Sequence, residues 1–488
     1  MLGSRLIVVR QPLIQSITTV LPSRRHAVVC VQLIVALSAD CVAETAEHLN
    51  RAMAALRRHL LPFLFVLYVV AYLDRVNISF AAVGVSKDLG LNSASYGFAA
   101  GIFFLGYVLF EIPSNLILAR VGARRWISRI LLSWGVVATL MVFMTSATQF
   151  NALRLLLGVA EAGFFPGIIL FLSQWVPAAQ RARTLAGFML AIPVAGLLGG
   201  PVSAWLLSLH GVLGLAGWRW LFLLEALPAI LLSVLVWRWL PNHPSQARWL
   251  RHDEAAALEQ VLEQEREQRR ASGVELHGLA ALWSDRRFWL LSVLYLGIAT
   301  SFYGFSFWIP RFVADALAAA APSPVLVNLL CAIPYGSAVV MMLLVGRAAD
   351  RHGDQRLFVA VPLAVASLAL LISLAATGPL RLLLISIATA SAFSSLGPAW
   401  AIPLQFLGGQ AAAGGIAAIN SFGNIGGFLA PIVMGWLMLQ PGGDGLALAA
   451  LAGVLLLSAG LALLATHKPG RDQPGWWPER NHSQRPPG

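Results

Sequence analysis

The sequence predicts an all-α membrane protein of twelve transmembrane helices in two six-helix halves. Three observations lead there. Of 488 residues, 58% are hydrophobic and only 11% are charged, whereas a soluble chain carries about 25% charged residues. The apolar residues gather in twelve runs of about 20 residues, the length that crosses bilayer hydrocarbon. A loop pattern also occurs twice: LILARVGARRW after the second run and GRAADRHGDQR after the eighth. Both copies hold Arg-x-Gly, at Arg120-Val121-Gly122 and Arg351-His352-Gly353, and the second is fuller, with Gly346 and Asp350. Such an internal repeat implies two related halves around a midplane site.

Residues 1–52 do not resemble the rest. Ala27–Ala39 is an apolar run too short to span, flanked by Arg24-Arg25-His26 and by the polar stretch from Asp40 to Glu47. It lacks a signal-peptide cleavage pattern. Two readings stay open: an extension that is disordered or lies on the membrane surface, or translation beginning at Met53. The first six spans are expected at 60–82, 96–118, 126–146, 150–174, 184–208 and 218–240, forming an N-terminal bundle over 53–240. A polar linker follows over 241–285, where His252–Arg270 places Glu259, Glu263 and Glu267 beside Arg266, Arg269 and Arg270 at helical spacing. That pattern reads as an amphipathic or solvated helix, not a catalytic one. The C-terminal bundle over 286–466 is expected to hold spans at 288–311, 323–346, 357–376, 379–404, 409–438 and 446–466. A polar, Pro-rich tail over 467–488 is expected to be disordered.

The formal net charge of +12 does not imply nucleic acid, because the basic residues sit in short loops between spans. Arg57 and Arg58, Arg120 to Arg129, Arg181 and Arg183, and Arg347 to Arg356 fall on one side; the alternate loops hold Lys87, Arg219, Arg311 and Arg381 singly. Both termini should therefore face the cytoplasm. Cys30, Cys41 and Cys331 make no paired framework or metal spacing.

Charges at membrane depth are expensive and usually mark a pathway. The fourth run, NALRLLLGVAEAGFFPGIILFLSQ, carries Arg154 and Glu161. Seven residues apart, they share a helix face to within roughly 20° and lie about 10 Å apart along the axis. The first run carries Asp74 and Arg75. Arginine stays charged and offers a planar fork to a carboxylate, so Arg75 is the first candidate for an anion clamp; the alternative is a structural ion pair. Burial favours the protonated form of a carboxylate and a nearby arginine the ionised form, so Asp74 and Glu161 are candidate proton carriers, or else Glu161 is permanently paired. Adjacent helical residues point about 100° apart; Asp74 is accordingly expected to approach Arg154 while Arg75 faces the cavity. Glu111 and Glu225 read as interfacial or latch residues. The last six runs offer Tyr303, Trp308, Trp400, Gln405, Asn420 and Asn424. Asn420 and Asn424 share a face and either bond substrate hydroxyls or join helices. Trp400 and Trp308 read as cavity walls or interfacial anchors. Gly196, Gly199 and Gly200, and Gly414, Gly415, Gly423, Gly426 and Gly427, permit close helix approach.

The repeated loop with the six-plus-six layout resembles the major facilitator superfamily over about residues 55–466. Within it the chain is similar to the anion:cation symporter family, through AYLDRVNISFA (71–81), LGYVLFEIPSN (105–115), LRLLLGVAEAGFFPG (153–167), WRWLFLLEALPA (218–229), YGFSFWIP (303–310), AIPY (332–335) and INSFGNIGGFLAP (419–431). AIPVAGLLGGP (191–201) leans towards tartrate- or phthalate-type members. The resemblance implies the major facilitator fold and proton-coupled symport of a small organic anion. It makes Asp74 and Glu161 the protonation sites, Arg75 and Arg154 their partners and substrate ligands, and has Tyr72, Tyr107 and Asn420 line the cavity; Trp400 is a further candidate substrate contact from its place in the tenth run. Arg120, Gly122, Gly346, Asp350, Arg351 and Gly353 would form the gating loops. Ala119 stands where the first loop usually has an acid, and Pro193 where galactonate-like members carry glutamine.

The resulting expectation is a multi-pass transporter of the bacterial inner membrane, working as a monomer with an organic anion, protons and the bilayer as partners. No cofactor, metal or nucleic acid is expected. The rivals are an exporter or uniporter of a less charged solute, a membrane sensor on the same fold, and a membrane-embedded enzyme, for which the histidines show no metal spacing and no nucleophile–base pair is apparent.

Overall fold

A computed structural model describes residues 24–271, 283–352, 354–404 and 409–464. They are all-helical, with twelve helical spans long and apolar enough to cross a membrane among the described residues. The helices are α1 Arg24–Leu89, α2 Ser93–Val121, α3 Ala123–Leu140, α4 Ala147–Glu161, α5 Phe164–Ser173, α6 Ala178–Met189, α7 Ala191–Leu207 and α8 Gly217–Trp239. After the polar helix α9 His252–Ala271 come α10 Arg286–Ala316, α11 Pro324–Leu330, α12 Ala332–His352, α13 Gln355–Ser373, α14 Gly378–Ser394, α15 Leu396–Leu404, α16 Gly409–Leu437 and α17 Gly443–Leu464. Six spans precede α9 and six follow it.

Several expected spans are broken. The fourth divides into α4 and α5 at Ala162 and Gly163, the latter at φ 86°. Glycine reaches that left-handed conformation without a Cβ clash, and Ser114 crowds the site. Shorter interruptions separate α6 from α7, α11 from α12 and α14 from α15.

The first helix differs most from expectation. The described part of the 1–52 extension continues α1 without a break, and Ala52, Met53 and Leu56 are buried. The reason is α9, which packs on this stretch: Leu258 and Leu262 are buried, His48 meets Asp253 at 3.4 Å and His59 stacks with Trp249 nearby. The other face of α9 is wet, with Arg266 paired to Glu263 at 3.1 Å. Residues 1–23, much of 241–285 beyond α9 (272–282) and the tail lie outside the described residues, as do Gly353 and Gln405.

The first six spans meet the last six along two seams, α2 against α16 and α7 against α11 and α12. Both are glycine seams. A Cβ added at Gly97 or Gly101 would overlap the carbonyl oxygens of Pro431 or Phe428, and one at Gly200 that of Asn328; Gly196 faces the Tyr335 ring. Backbone therefore packs on backbone, as small residues allow inside a bilayer. Polar bonds cross the same interface: Tyr72 Oη to Ser306 Oγ at 2.9 Å, Tyr96 Oη donating to Phe307 O at 3.3 Å, and Asn328 Nδ2 donating to Phe80 O at 3.3 Å.

Within the first six spans, α2 and α4 touch most closely at Gly158, where an added Cβ would overlap the Phe103 carbonyl. Gly158→Ala should thus lower the detergent-solubilised unfolding midpoint, by an overpacking penalty of about 1–3 kcal/mol. Gly453→Ala, where nothing lies within 4 Å of an added Cβ, should leave the midpoint unchanged; equal shifts in the two variants would contradict this account of the seam.

Candidate functional site

A cavity of about 40 Å³ lies between the two sets of spans. Tyr68, Tyr72, Arg75 and Tyr107 line it from α1 and α2; Tyr295 and Tyr303 from α10; Asn420 and Asn424 from α16. Arg75 is the cation in this wall. Its Nη2 donates to Glu161 Oε2 at 2.7 Å, and its guanidinium carbon lies 5.3 Å from the Phe103 ring centroid and 5.2 Å from that of Tyr107. Arg75 Nε and Glu161 Oε1 have no hydrogen-bond partner, so both ends of the pair retain unused capacity. Glu161 is wholly buried at the last turn of α4, where the break at Gly163 ends the helix.

Arg154 does not reach the cavity. It is fully buried, donates from Nε to Ala99 O at 3.2 Å and from Nη2 to Ala100 O at 3.4 Å, and its guanidinium carbon lies 4.9 Å from the Phe103 ring centroid. The shared face of Arg154 and Glu161 is real, but two turns of rise carry Arg154 to the carbonyls of α2. The expected approach of Asp74 to Arg154 also fails. Asp74 Oδ2 instead accepts from Trp134 Nε1 at 2.6 Å, and Oδ1 from Asn77 Nδ2 at 3.4 Å. An indole on α3, rather than a charge on α4, satisfies this carboxyl group.

Tyr72, Tyr107 and Asn420 line the cavity as expected positions, whereas Trp400 stands behind it, edge-on to Tyr295 at 4.7 Å. Trp308 is buried against Tyr96, not in the cavity wall. Glu225 is buried and accepts from Ser203 Oγ at 3.3 Å. Glu111, set aside as interfacial, accepts from both Asn420 and Asn424. The signal for it was present: an acid in an apolar run and two amides one turn apart in another. What connected them was the α2–α16 seam, which no local pattern encodes.

The repeated loops lie at helix ends. Gly122, at φ 92°, joins α2 to α3; Arg120 is exposed; Arg124 N donates to Asn242 Oδ1 at 3.0 Å and its guanidinium to the Trp237 carbonyl. Gly346, Asp350 and Arg351 occupy the end of α12, with Arg351 exposed. Among the described residues no three His, Cys, Asp or Glu side chains gather as a metal site, and Cys331 is buried and free.

Two sets of six spans joined along two seams around a charged cavity have the build of a membrane transporter. The model of the Major Facilitator Superfamily matches residues 64–431, and the chain belongs to that superfamily. It is 42% identical over 416 residues to an Agrobacterium vitis protein named "Putative tartrate transporter", covering 85% of this chain and 94% of the relative. It is 38% identical over 430 residues to the "Putative metabolite transport protein NicT" of Pseudomonas putida, covering 87% and 97%. In fold it is similar to the inward-facing, unoccupied crystal structure of a bacterial homologue of the human lysosomal transporter Spinster, at TM-score 0.66 and 18% identity over 84% of this chain and 96% of that one. The protein is a multi-pass membrane transporter.

The Asp74 arrangement has a measurable consequence. Trp134→Phe keeps a ring against Phe164 but removes the indole donor. Leaving a buried acceptor unsatisfied costs about 1–3 kcal/mol, so thermal unfolding in detergent should show a loss of that order, and an unchanged midpoint would refute the bond's importance.

Proposed function

We propose that this chain carries a small organic anion together with protons by alternating access, across a bacterial inner membrane with both termini cytoplasmic. The observation that carries the reading is the Arg75–Glu161 pair in the wall of the cavity between the two sets of spans. Among the described residues that line the cavity Arg75 is the only arginine, and its guanidinium is shared between the cavity and Glu161. An incoming carboxylate and Glu161 therefore compete for one guanidinium. Protonation of Glu161 weakens its hold and frees the fork for the substrate. Proton and anion then favour each other's binding, and the linkage is reciprocal.

Charge balance supports the proton's part. Asp74, Glu111, Glu161 and Glu225 are each at most 6% exposed, against two buried arginines, Arg75 and Arg154. The described ion pairs give a bonded cation to Glu161 alone among these four acids. Ionised carboxylates buried without a cation are strongly disfavoured unless donors take their oxygens, as the two amides take those of Glu111, so Asp74 and Glu225 need protons, and a site that holds protons can exchange them. We keep Asp74 beside Glu161 as a proton carrier on this ground, acting away from the cavity. Arg154 is better suited to holding α4 against α2 than to touching substrate.

Alternating access fits the dimensions. Water needs on the order of 10–15 Å³ of such space, so the cavity admits a few waters and an organic anion enters only when a seam parts. The name of the Agrobacterium relative favours a tartrate-like carboxylate as the first anion to test.

Proteoliposomes with an imposed pH step decide the matter. Wild type should accumulate labelled tartrate only with an inward-directed proton gradient. Arg75→Ala should lose uptake by about two orders of magnitude, as truncating one partner of a buried charge pair costs 2–5 kcal/mol or more. Glu161→Gln should still exchange tartrate across the membrane at equal concentrations but fail to concentrate it when a proton gradient is applied. Uptake indifferent to both the gradient and Arg75 would remove anion–proton symport and leave the superfamily assignment alone.

A further inference from the structure

The α2–α16 seam contains a carboxylate held in an unusual way. Glu111 Oε1 accepts from Asn420 Nδ2 at 3.1 Å, and Glu111 Oε2 accepts from Asn424 Nδ2 at 3.3 Å. Two amides one turn apart on α16 thus grip both oxygens of one carboxylate on α2. Glu111 is 3% exposed, Asn420 8% and Asn424 7%, and both asparagines line the same cavity as Arg75. The pair has the donor geometry of a carboxylate fork, and the chain's own side chain occupies it.

We propose that Asn420 and Asn424 form a second carboxylate subsite facing Arg75, that Glu111 is its built-in occupant, and that the transported anion is a compact dicarboxylate whose second carboxylate displaces Glu111. The proposal rests on the reading of Arg75 as the clamp for the first carboxylate.

The chemistry of the fork suits exchange. Amide donors bind a carboxylate through charge-assisted bonds, yet, being neutral, they do not trap it as a second buried arginine would. When a substrate carboxylate takes the fork, Glu111 lies beside a like charge, and repulsion at that range is strong in a low-dielectric site. Glu111 must then accept a proton or swing away. Either event breaks a bond that ties the first six spans to the last six, so filling the subsite loosens the seam that has to open. A monocarboxylate anchored on Arg75 presents nothing to displace Glu111 and leaves the seam tied. The charged and titratable groups in electrostatic reach of Glu111 are Arg75 from α1, Tyr107 on its own helix, and Tyr295 and Tyr303 from α10. On α4, Glu161 is engaged by Arg75, and the described residues of α16 that meet Glu111 are the two amides.

The test is equilibrium binding to the purified full chain, comparing labelled tartrate with threonate, in which a hydroxymethyl group replaces one carboxylate, at mildly acidic and neutral pH. Wild type should prefer tartrate by roughly tenfold or more, the worth of a charge-assisted hydrogen bond. Asn420→Ala combined with Asn424→Ala should weaken tartrate far more than threonate and so collapse the preference between them. Glu161 acts on both anions alike, so the pH dependence of their ratio reports Glu111: the preference should grow as pH falls in wild type and be independent of pH in Glu111→Gln. The conservative Gln variant keeps the test decisive where the double variant does not fold. Equal weakening of both anions by the asparagine substitutions, or an unchanged pH dependence of the ratio in Glu111→Gln, overturns the subsite. Wild type that needs Arg75 but does not distinguish the two anions overturns the subsite and spares the anion clamp. Wild type that binds neither anion, or binds both without Arg75, overturns the two together.

Discussion

The buried bond between Arg75 and Glu161 is the constraint around which the first six spans are arranged. An arginine inside a bilayer protein needs both a counter-charge and donors' partners, and losing either leaves a costly buried charge. Glu161 supplies the counter-charge from the last turn of α4. The aromatic faces of Phe103 and Tyr107 cover the guanidinium from α2, a favourable placement for a cation with little water around it. Three helices are thereby held at one point. Arg154 lies on the same Phe103 ring and reaches the α2 carbonyls of Ala99 and Ala100, so the second arginine braces the wall in which the first one works.

That wall belongs to a body joined along glycine seams. The close contacts across α2–α16 and α7–α11 are backbone against backbone, through Gly97, Gly101 and Gly200. Such seams hold by dispersion and a few polar bonds, not by a hydrophobic driving force, since lipid tails are as apolar as the side chains they replace. Seams of this kind separate without exposing a large new penalty. Polar groups also cross them, Tyr72 with Ser306, Asn328 with Phe80 and Glu111 with the two asparagines, and under the proposed alternating access these are the bonds to be exchanged. Those at the cavity are the ones a ligand can reach.

The cytoplasmic-type charge pattern and the α9 helix belong to a different layer. α9 lays Leu258 and Leu262 on the early part of α1, and Arg181, between α5 and α7 in the chain, meets Glu265 at 3.4 Å. The linker region is therefore packed against the base of the first six spans over its described residues. Its acids at 259, 263 and 267 stay at the surface side of that helix, in keeping with a solvated charge run.

Much of this was legible in the residues themselves. Apolar run length determines a spanning helix because every backbone polar group in lipid must be bonded within the segment, so the twelve spans follow from local sequence. The cost of a buried charge likewise singles out Arg75, Glu161 and Asp74 before any fold is known, and the family likeness named Tyr72, Tyr107 and Asn420, which line the cavity between the two sets of spans. Partner choice did not follow. Helical geometry says which residues share a face, and it correctly set Arg75 apart from Asp74; it does not say which neighbouring helix presents the answering group. Trp134 on α3 answers Asp74, the Ala99 and Ala100 carbonyls answer Arg154, and Asn420 and Asn424 answer Glu111 across 309 and 313 residues of chain. The sequence by itself determined the spans, their charged residues and the class of protein, because those depend on length, polarity and the solvent. Only the tertiary structure decided which buried charges meet, because that depends on helix rotation and seam packing, which are set by contacts between residues far apart in the chain.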